Sequence, residues 1–280
     1  GLEHNPGFKL SLGFIRKAVF AVFYGDLLMN VANQVRPYEV TAGDTDKAIE
    51  DCMDFLLSEM NEGRGMSHKT MIANFERIID RFKSIPVAGE QKVRVGVVGE
   101  IYVKYSPLGN NNLEQFLLSE GAEPVVPGLA DFVIFKIYNR DVDVDIYGGK
   151  WIKQAVCRVF AGYIKKKQRA MIDALKRSGR FRAPGDFDEL HSYIKGYLGD
   201  GNKMGEGWLL TAEMLELIHT GVPNIVCTQP FGCLPNHIVG KGMIRKLKDD
   251  YPWSNIVAID YDPSATKINQ ENRIKLMLAN

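Results

Sequence analysis

Three short runs rich in β-branched residues constrain this chain more than any other feature. Lys92-Val-Arg-Val-Gly-Val-Val98, Ile225-Val-Cys-Thr228 and Ile256-Val-Ala-Ile-Asp260 are apolar over nearly their whole length. That pattern suits strands covered on both faces, as in a parallel sheet. A turn-rich stretch and a helix over about 113–119 separate the first run from Glu123-Pro-Val-Val-Pro127, a short further strand, so this part reads as a βαβ unit. The two later runs flank a helical pattern over about 237–248 and form a second such unit. Ser264 or Thr266 then opens a final helix reaching Leu278.

The rest reads as helix. Phe14, Ala18, Val22, Leu27, Leu28 and Val31 recur near the 3.6-residue period, and Arg36-Pro37 ends that helix because the residue before proline is pushed out of helical space. Thr45 or Asp44 caps a second helix through Met60, and a third follows Ser67 and stops before Pro86. Helical patterns return over 148–178, 187–198 and 209–219. The expected organisation is therefore a helical segment over 1–90, a first α/β lobe over 91–147, a helical connector over 148–220 and a second α/β lobe over 221–280. The fold class is α/β, with two small Rossmann-like, parallel-sheet lobes and extensive helical segments. Each unit shows fewer strands than the four to six or so common in doubly wound sheets. With a start at Gly1-Leu2-Glu3-His4 that resembles a processed or excised end, this points to part of a longer chain.

Composition excludes several classes. With 45% hydrophobic and 25% charged residues the chain can bury a full core, and 35 basic against 34 acidic residues leave no global field to recruit nucleic acid or anionic membrane. No apolar run approaches the roughly 20 residues that span a bilayer. Four cysteines in 280 residues make no disulfide scaffold, so a reducing cytoplasm is expected. Lys165 to Arg182 carries eight basic residues but no interleaved aromatics of a nucleic-acid module, and reads as a solvated helical face.

The most informative segment is Ile225-Val-Cys-Thr-Gln-Pro-Phe-Gly-Cys-Leu-Pro-Asn-His237. Ligands in open α/β sheets gather beyond the carboxyl ends of strands. Cys227 is expected at such an end and Cys233 near the start of the following helix, where a helix dipole favours thiolate. Pro230, Gly232 and Pro235 restrict the loop. Three readings stay open: a metal or cluster site at Cys227 and Cys233, two packed thiols, or a redox pair. Cys52 and Cys157, inside helical patterns, read as core. His237 suits a hydrogen bond to a cluster sulfide or a thioester carbonyl, or a mere cap. His4, His68, His191 and His219 form no motif with one another or with a nearby carboxylate.

Glu100 follows the first strand, with Tyr102, Lys104 and Asn110 to Asn112 behind it. Glu100, Tyr102, Lys104 and Asn111 are candidate cofactor-binding residues, and the asparagines can equally cap the next helix. The segment is neither Gly-x-Gly-x-x-Gly nor a Walker loop, which disfavours nucleotide-phosphate binding. Gly205-Glu-Gly207 either positions Glu206 at the crevice or is an ordinary turn. Asp260-Tyr-Asp262 suits a cation, a ribose hydroxyl or a cap.

Arg36-Pro-Tyr-Glu39, the segment from Val97 to Asn112, Gly205-Glu-Gly-Trp208, the run Gln229-Pro-Phe-Gly-Cys-Leu-Pro-Asn-His237, and Asp260-Tyr-Asp262 with Asn269-Gln-Glu-Asn-Arg273 together resemble the C-terminal part of large proteins related to 2-hydroxyacyl-CoA dehydratases and their activators. The resemblance spans nearly the whole chain. It implies facing α/β lobes, a cysteine-ligated [4Fe–4S] cluster and an ATP-dependent activator partner that drives a low-potential electron into it. An acyl-CoA thioester is then reduced to a ketyl radical from which hydroxide is eliminated. On this chain the resemblance makes Cys227 and Cys233 the candidate ligands, two where a cubane takes three or four. It also implies the remainder of a longer polypeptide as a partner. The activator's ATP-binding lobes are not recognisable here, and neither a nucleic acid nor a membrane is an expected partner. The competing reading is a binding or assembly module with structural cysteines.

Overall fold

The computed structural model describes residues 11–262 and 265–279. Ser264, one of two expected caps of the last helix, and His4 lie outside them. The expected α/β class is observed, with four parallel strands in one sheet: β1 (Arg94–Gly99), β2 (Glu123–Val125), β3 (Asn224–Pro230) and β4 (Asn255–Tyr261), ordered β2-β1-β3-β4. The two βαβ units, expected as separate sheets, are halves of this sheet. Val98 pairs with Cys227, which pairs in turn with Ala258.

Side chains alternate between the faces of the sheet, as the period of two requires. Val95, Val97, Val226 and Ile259 pack with Leu113 and Leu117 of α5 (Leu113–Ser119) and with Ile274 and Met277 of α11 (Lys267–Ala279). Val98, Ile225, Cys227, Ile256 and Ala258 pack on the other face against α9 (Leu209–His219) and Leu247 of α10 (Ile244–Asp250). Ten of α9's eleven residues are buried, because its opposite face, through Leu209 and Ala212, enters a second core. A helix buried all round is apolar all round; here Thr211 donates to the Val239 carbonyl, and the two ionisable interior side chains, Glu213 and Glu216, have to find partners.

That second core belongs to the helical layer: α1 (Leu12–Val35), α2 (Asp44–Asn61), α3 (His68–Lys83), α6 (Leu129–Tyr147), α7 (Trp151–Ser178) and α8 (Phe187–Ser192). Ser67 and Thr70 form a capping box on α3, as expected from Ser67. The α2 start departs from expectation: Glu39 accepts from the backbone N–H groups of Gly43 and Thr45, in place of a cap by Asp44 or Thr45. Trp208 is fully buried where Phe135, Phe187 and His191 converge, its ring 5.0 Å from Phe135. Lys165 and Arg169, in the basic stretch expected to be a solvated face, pair with Asp186 and Asp188, Arg177 pairs with Glu76, and Lys167 is buried over Phe20 and Tyr163. Among the described residues no helix is long and apolar enough to cross a membrane.

Candidate functional site at the carboxyl ends of the strands

The chain leaves β1 toward β2 on one side and, after the helical layer, enters β3 on the other. The strand order therefore reverses between β1 and β3, and the crevice beyond their carboxyl ends is where open α/β sheets take ligands. Three segments meet there. Gly99 closes β1 at φ +146°, where any side chain would collide with the Thr228 carbonyl, and that carbonyl accepts from the Glu100 N–H at 3.0 Å. Gly207, at φ +51°, lets the 202–208 loop fold tightly on Asn202. The third segment is the Pro-Phe-Gly-Cys-Leu-Pro-Asn-His run after β3.

Glu206 joins them. One carboxylate oxygen accepts from the Ile101 N–H at 3.2 Å, just after β1, and the other from the Asn236 amide at 3.1 Å, just after β3. The same Asn236 nitrogen reaches the Cys233 sulfur at 3.3 Å. Of the two sequence alternatives for Gly205-Glu-Gly207, the crevice position is the observed one. A second chain of contacts runs to β4. His237 Nδ1 lies 2.9 Å from the Cys233 carbonyl, and since a carbonyl only accepts, Nδ1 carries a proton. Its Nε2 lies 3.4 Å from the Gln229 amide nitrogen and 3.5 Å from Asp260, to which Gln229 also donates at 2.5 Å and Lys241 at 3.4 Å. A continuous polar belt thus crosses the sheet end from β1 to β4. Within it Gln229 Oε1 and Asn236 Oδ1 are buried with no donor. Each such oxygen costs about 1–3 kcal/mol until a donor meets it.

Other candidates are placed differently. Glu100 caps the short helix α4 (Ile101–Tyr105), accepting from Val103 N–H at 2.9 Å. Tyr102 is exposed and flanks Gly109. Lys104, expected at the crevice, points into the interior and pairs with Glu213 at 2.8 Å. Asn110 caps α5 through the Leu113 N–H, while Asn111 donates to Gln270, bracing α11 against the β4 end. His191, assigned no carboxylate from sequence, lies 2.7 Å from Asp200 and anchors the base of the 199–208 loop. Asn236 and Gln229 carry much of the belt, and their only signal in the sequence is membership of the dense polar run ending at His237.

The cysteines require two corrections. Cys227 does not end its strand: β3 continues through Pro230, and the sulfur lies in the apolar cluster on the α9 face, 0% exposed, beside the backbone of Gly240. Burial pushes its thiol up to about 12, against thiolate formation. Cys233 immediately precedes a continuous helical run of mixed pitch over 234–250, as expected, and its carbonyl accepts the first bond of that run from the His237 N–H at 3.0 Å. Cys233 adjoins the crevice, Cys227 packs in the core, and the two do not fit an iron cluster as a ligand pair. Among the described residues no group of three or more His, Cys, Asp or Glu is arranged to hold a metal ion. All four cysteines are unlinked, with Cys52 buried and Cys157 half-buried.

The two thiols should accordingly behave differently. Cys227→Ser, which buries a hydroxyl among apolar side chains, is expected to lower unfolding free energy by about 1–3 kcal/mol, and Cys233→Ser by less than about 0.5 kcal/mol. Urea unfolding measures both. A thiol reagent should label Cys233 in the native protein and Cys227 only on unfolding; equal rates would contradict the placement.

No family model matches this chain, and no curated protein or solved structure matches it either.

Proposed function

We propose that this chain is the α/β part of a cytoplasmic protein related to 2-hydroxyacyl-CoA dehydratases and their activators, and that its crevice binds an acyl-CoA thioester. The observation that supports this reading is the belt itself: the motif run, from the end of β3 onward, supplies Gln229, Cys233, Asn236 and His237, and the Gly-Glu-Gly turn supplies Glu206. All lie at the switch point of the sheet.

Each group is fixed there by its neighbours. Gln229 and Asn236, both buried, brace the wall of the crevice, Gln229 through Asp260 and Asn236 through Glu206 and the Cys233 sulfur. His237 is held by the Cys233 carbonyl, with Nε2 3.5 Å from Asp260. Glu206 fixes both walls of the crevice.

Calorimetric titration with coenzyme A and acetyl-CoA tests the proposal. Binding is expected, weakened roughly tenfold by Asn236→Leu and by His237→Ala, as for loss of one or two hydrogen bonds. No binding, or unchanged affinity in both variants, defeats it. A second reading, an assembly module, is favoured by exposed Phe231, Leu234 and Ile238 in the same run. It predicts that Phe231→Ser with Leu234→Ser abolishes association with a partner while either thiol variant leaves it intact.

A further inference from the structure

A second concavity lies away from the crevice. Arg94 is the first residue of β1, whereas Glu100 follows its last, so a cavity walled by Arg94 sits toward the opposite end of the strand. The cavity holds about 90 Å³ and is closed by α1, the segment after β2, the 182–184 loop and α9. Its walls are largely carbon, from Met29, Val125, Met171, Leu217 and Val222, and they also include the carboxyl groups of Asp26 and Glu216, which accept from the backbone N–H groups of Leu129, Ala130 and Gly185 and do not pair with Arg94. It has no connection with the proposed acyl-CoA site and does not depend on that reading.

Its charge is unusual. Arg182 also lines it and is neutralised by the buried Glu123, which accepts a further hydrogen bond from Tyr38. Arg94 is half-buried, and its side chain makes no hydrogen bond or ion pair with any other described residue. A guanidinium removed from part of its water without a counter-charge is destabilising, and a second guanidinium nearby raises that cost. Burial, and then the charge of Arg94, hold Arg182 below the ordinary guanidinium value, which puts the two close enough to repel. An apolar cavity with a few convergent polar groups is the usual form of a small-molecule site.

We propose that this cavity binds a short alkyl carboxylate, its carboxylate on the Arg94 guanidinium and its alkyl end against Met29, Met171 and Leu217. Guanidinium matches carboxylate in a two-point fork, which a lysine ammonium does not. A cavity of ~150 Å³ accommodates benzene, so the smaller volume here suits about four to six non-hydrogen atoms, the size of acetate, propionate or butyrate. The carbon walls favour these over phosphate, which has no apolar end.

The test is titration of the isotope-labelled full chain with sodium propionate, followed by amide chemical shifts at constant ionic strength, with phosphate as the comparison anion. Propionate is expected to shift the resonances of Arg94, Thr220 and Val222 saturably. Arg94→Gln should weaken it at least tenfold, and Arg94→Lys, which keeps the charge without the fork, by a smaller factor. Retained dispersion of the amide spectrum shows each variant folded. Absence of saturable shifts at these residues, equal affinity for phosphate, or undiminished binding by Arg94→Gln overturns the proposal.

Discussion

Lys104→Met is expected to destabilise the protein by about 3–5 kcal/mol, the cost of leaving a buried charge unpaired. Lys104 and Glu213 are each 2% exposed in their side chains and lie 2.8 Å apart. Burial raises the Glu213 carboxyl, and the Lys104 ammonium opposes that rise. The same ammonium also favours the ionised forms of Asp26 and Glu216, so one cation serves an interior that holds several carboxylates. Removing it forces Glu213 either to take a proton or to remain charged in an apolar setting. Glu213→Leu alone strands the ammonium and should cost as much. The double variant Lys104→Met with Glu213→Leu should recover most of the loss, since an apolar pair of similar volume avoids desolvating two charges. Urea unfolding of the four proteins gives the coupling directly. Independent, additive losses would mean that the two residues do not act as a pair.

That interior position also shows where the sequence is informative and where it is not. The strands were legible because β-branched, continuous apolar runs leave few alternatives, and the observed β1, β3 and β4 enclose or closely overlap the expected segments. Their joining into one sheet was not legible. Val98 and Cys227 are paired across more than a hundred residues of intervening chain, and nothing local in either βαβ unit encodes that contact. Helix α6 was missed for a specific reason. Asp141-Val-Asp-Val-Asp-Ile146 alternates with a period of two, and the preceding Phe132-Val-Ile-Phe135 is apolar at every position, so the helical period is masked. Lys104 was misplaced because proximity to a strand tip says nothing about which way the next helix turns its side chains. Glu206 was legible because flanking glycines allow backbone that other residues rarely adopt, and such backbone is common where loops pack closely. Cys227, expected at a strand end, lies three residues before the end of β3, because the strand continues through Gln229 and Pro230, and its sulfur is in the core rather than at the rim.

Glu216→Gln is expected to remove a pH dependence of stability worth about 3.5 kcal/mol. Burial raises the Glu216 carboxyl from 4.5 to about 7; the Gly185 N–H, donating at 2.7 Å, and the more distant Lys104 work against that rise, while Glu213 and Glu189 reinforce it. Asp131, on α6, is raised first by its own burial and then by the charge of Glu216. The folded protein therefore keeps this proton over a range in which the unfolded chain has lost it. Native protein binds more protons than unfolded between about pH 4.5 and 7, so stability falls as pH rises through that window and levels off above it. A gap of about 2.5 pH units at about 1.4 kcal/mol per unit gives the stated size. Asp26, raised to about 6 by its own burial, contributes a decline of the same sign ending about one unit lower, and this part persists in the variant. Glutamine keeps an oxygen for the Gly185 N–H, so at pH 5 the variant should be close to the parent in stability, and at pH 8 it should be clearly the more stable of the two. Chemical unfolding at both pH values decides the matter: parallel pH profiles for parent and variant would show that Glu216 ionises normally inside the fold.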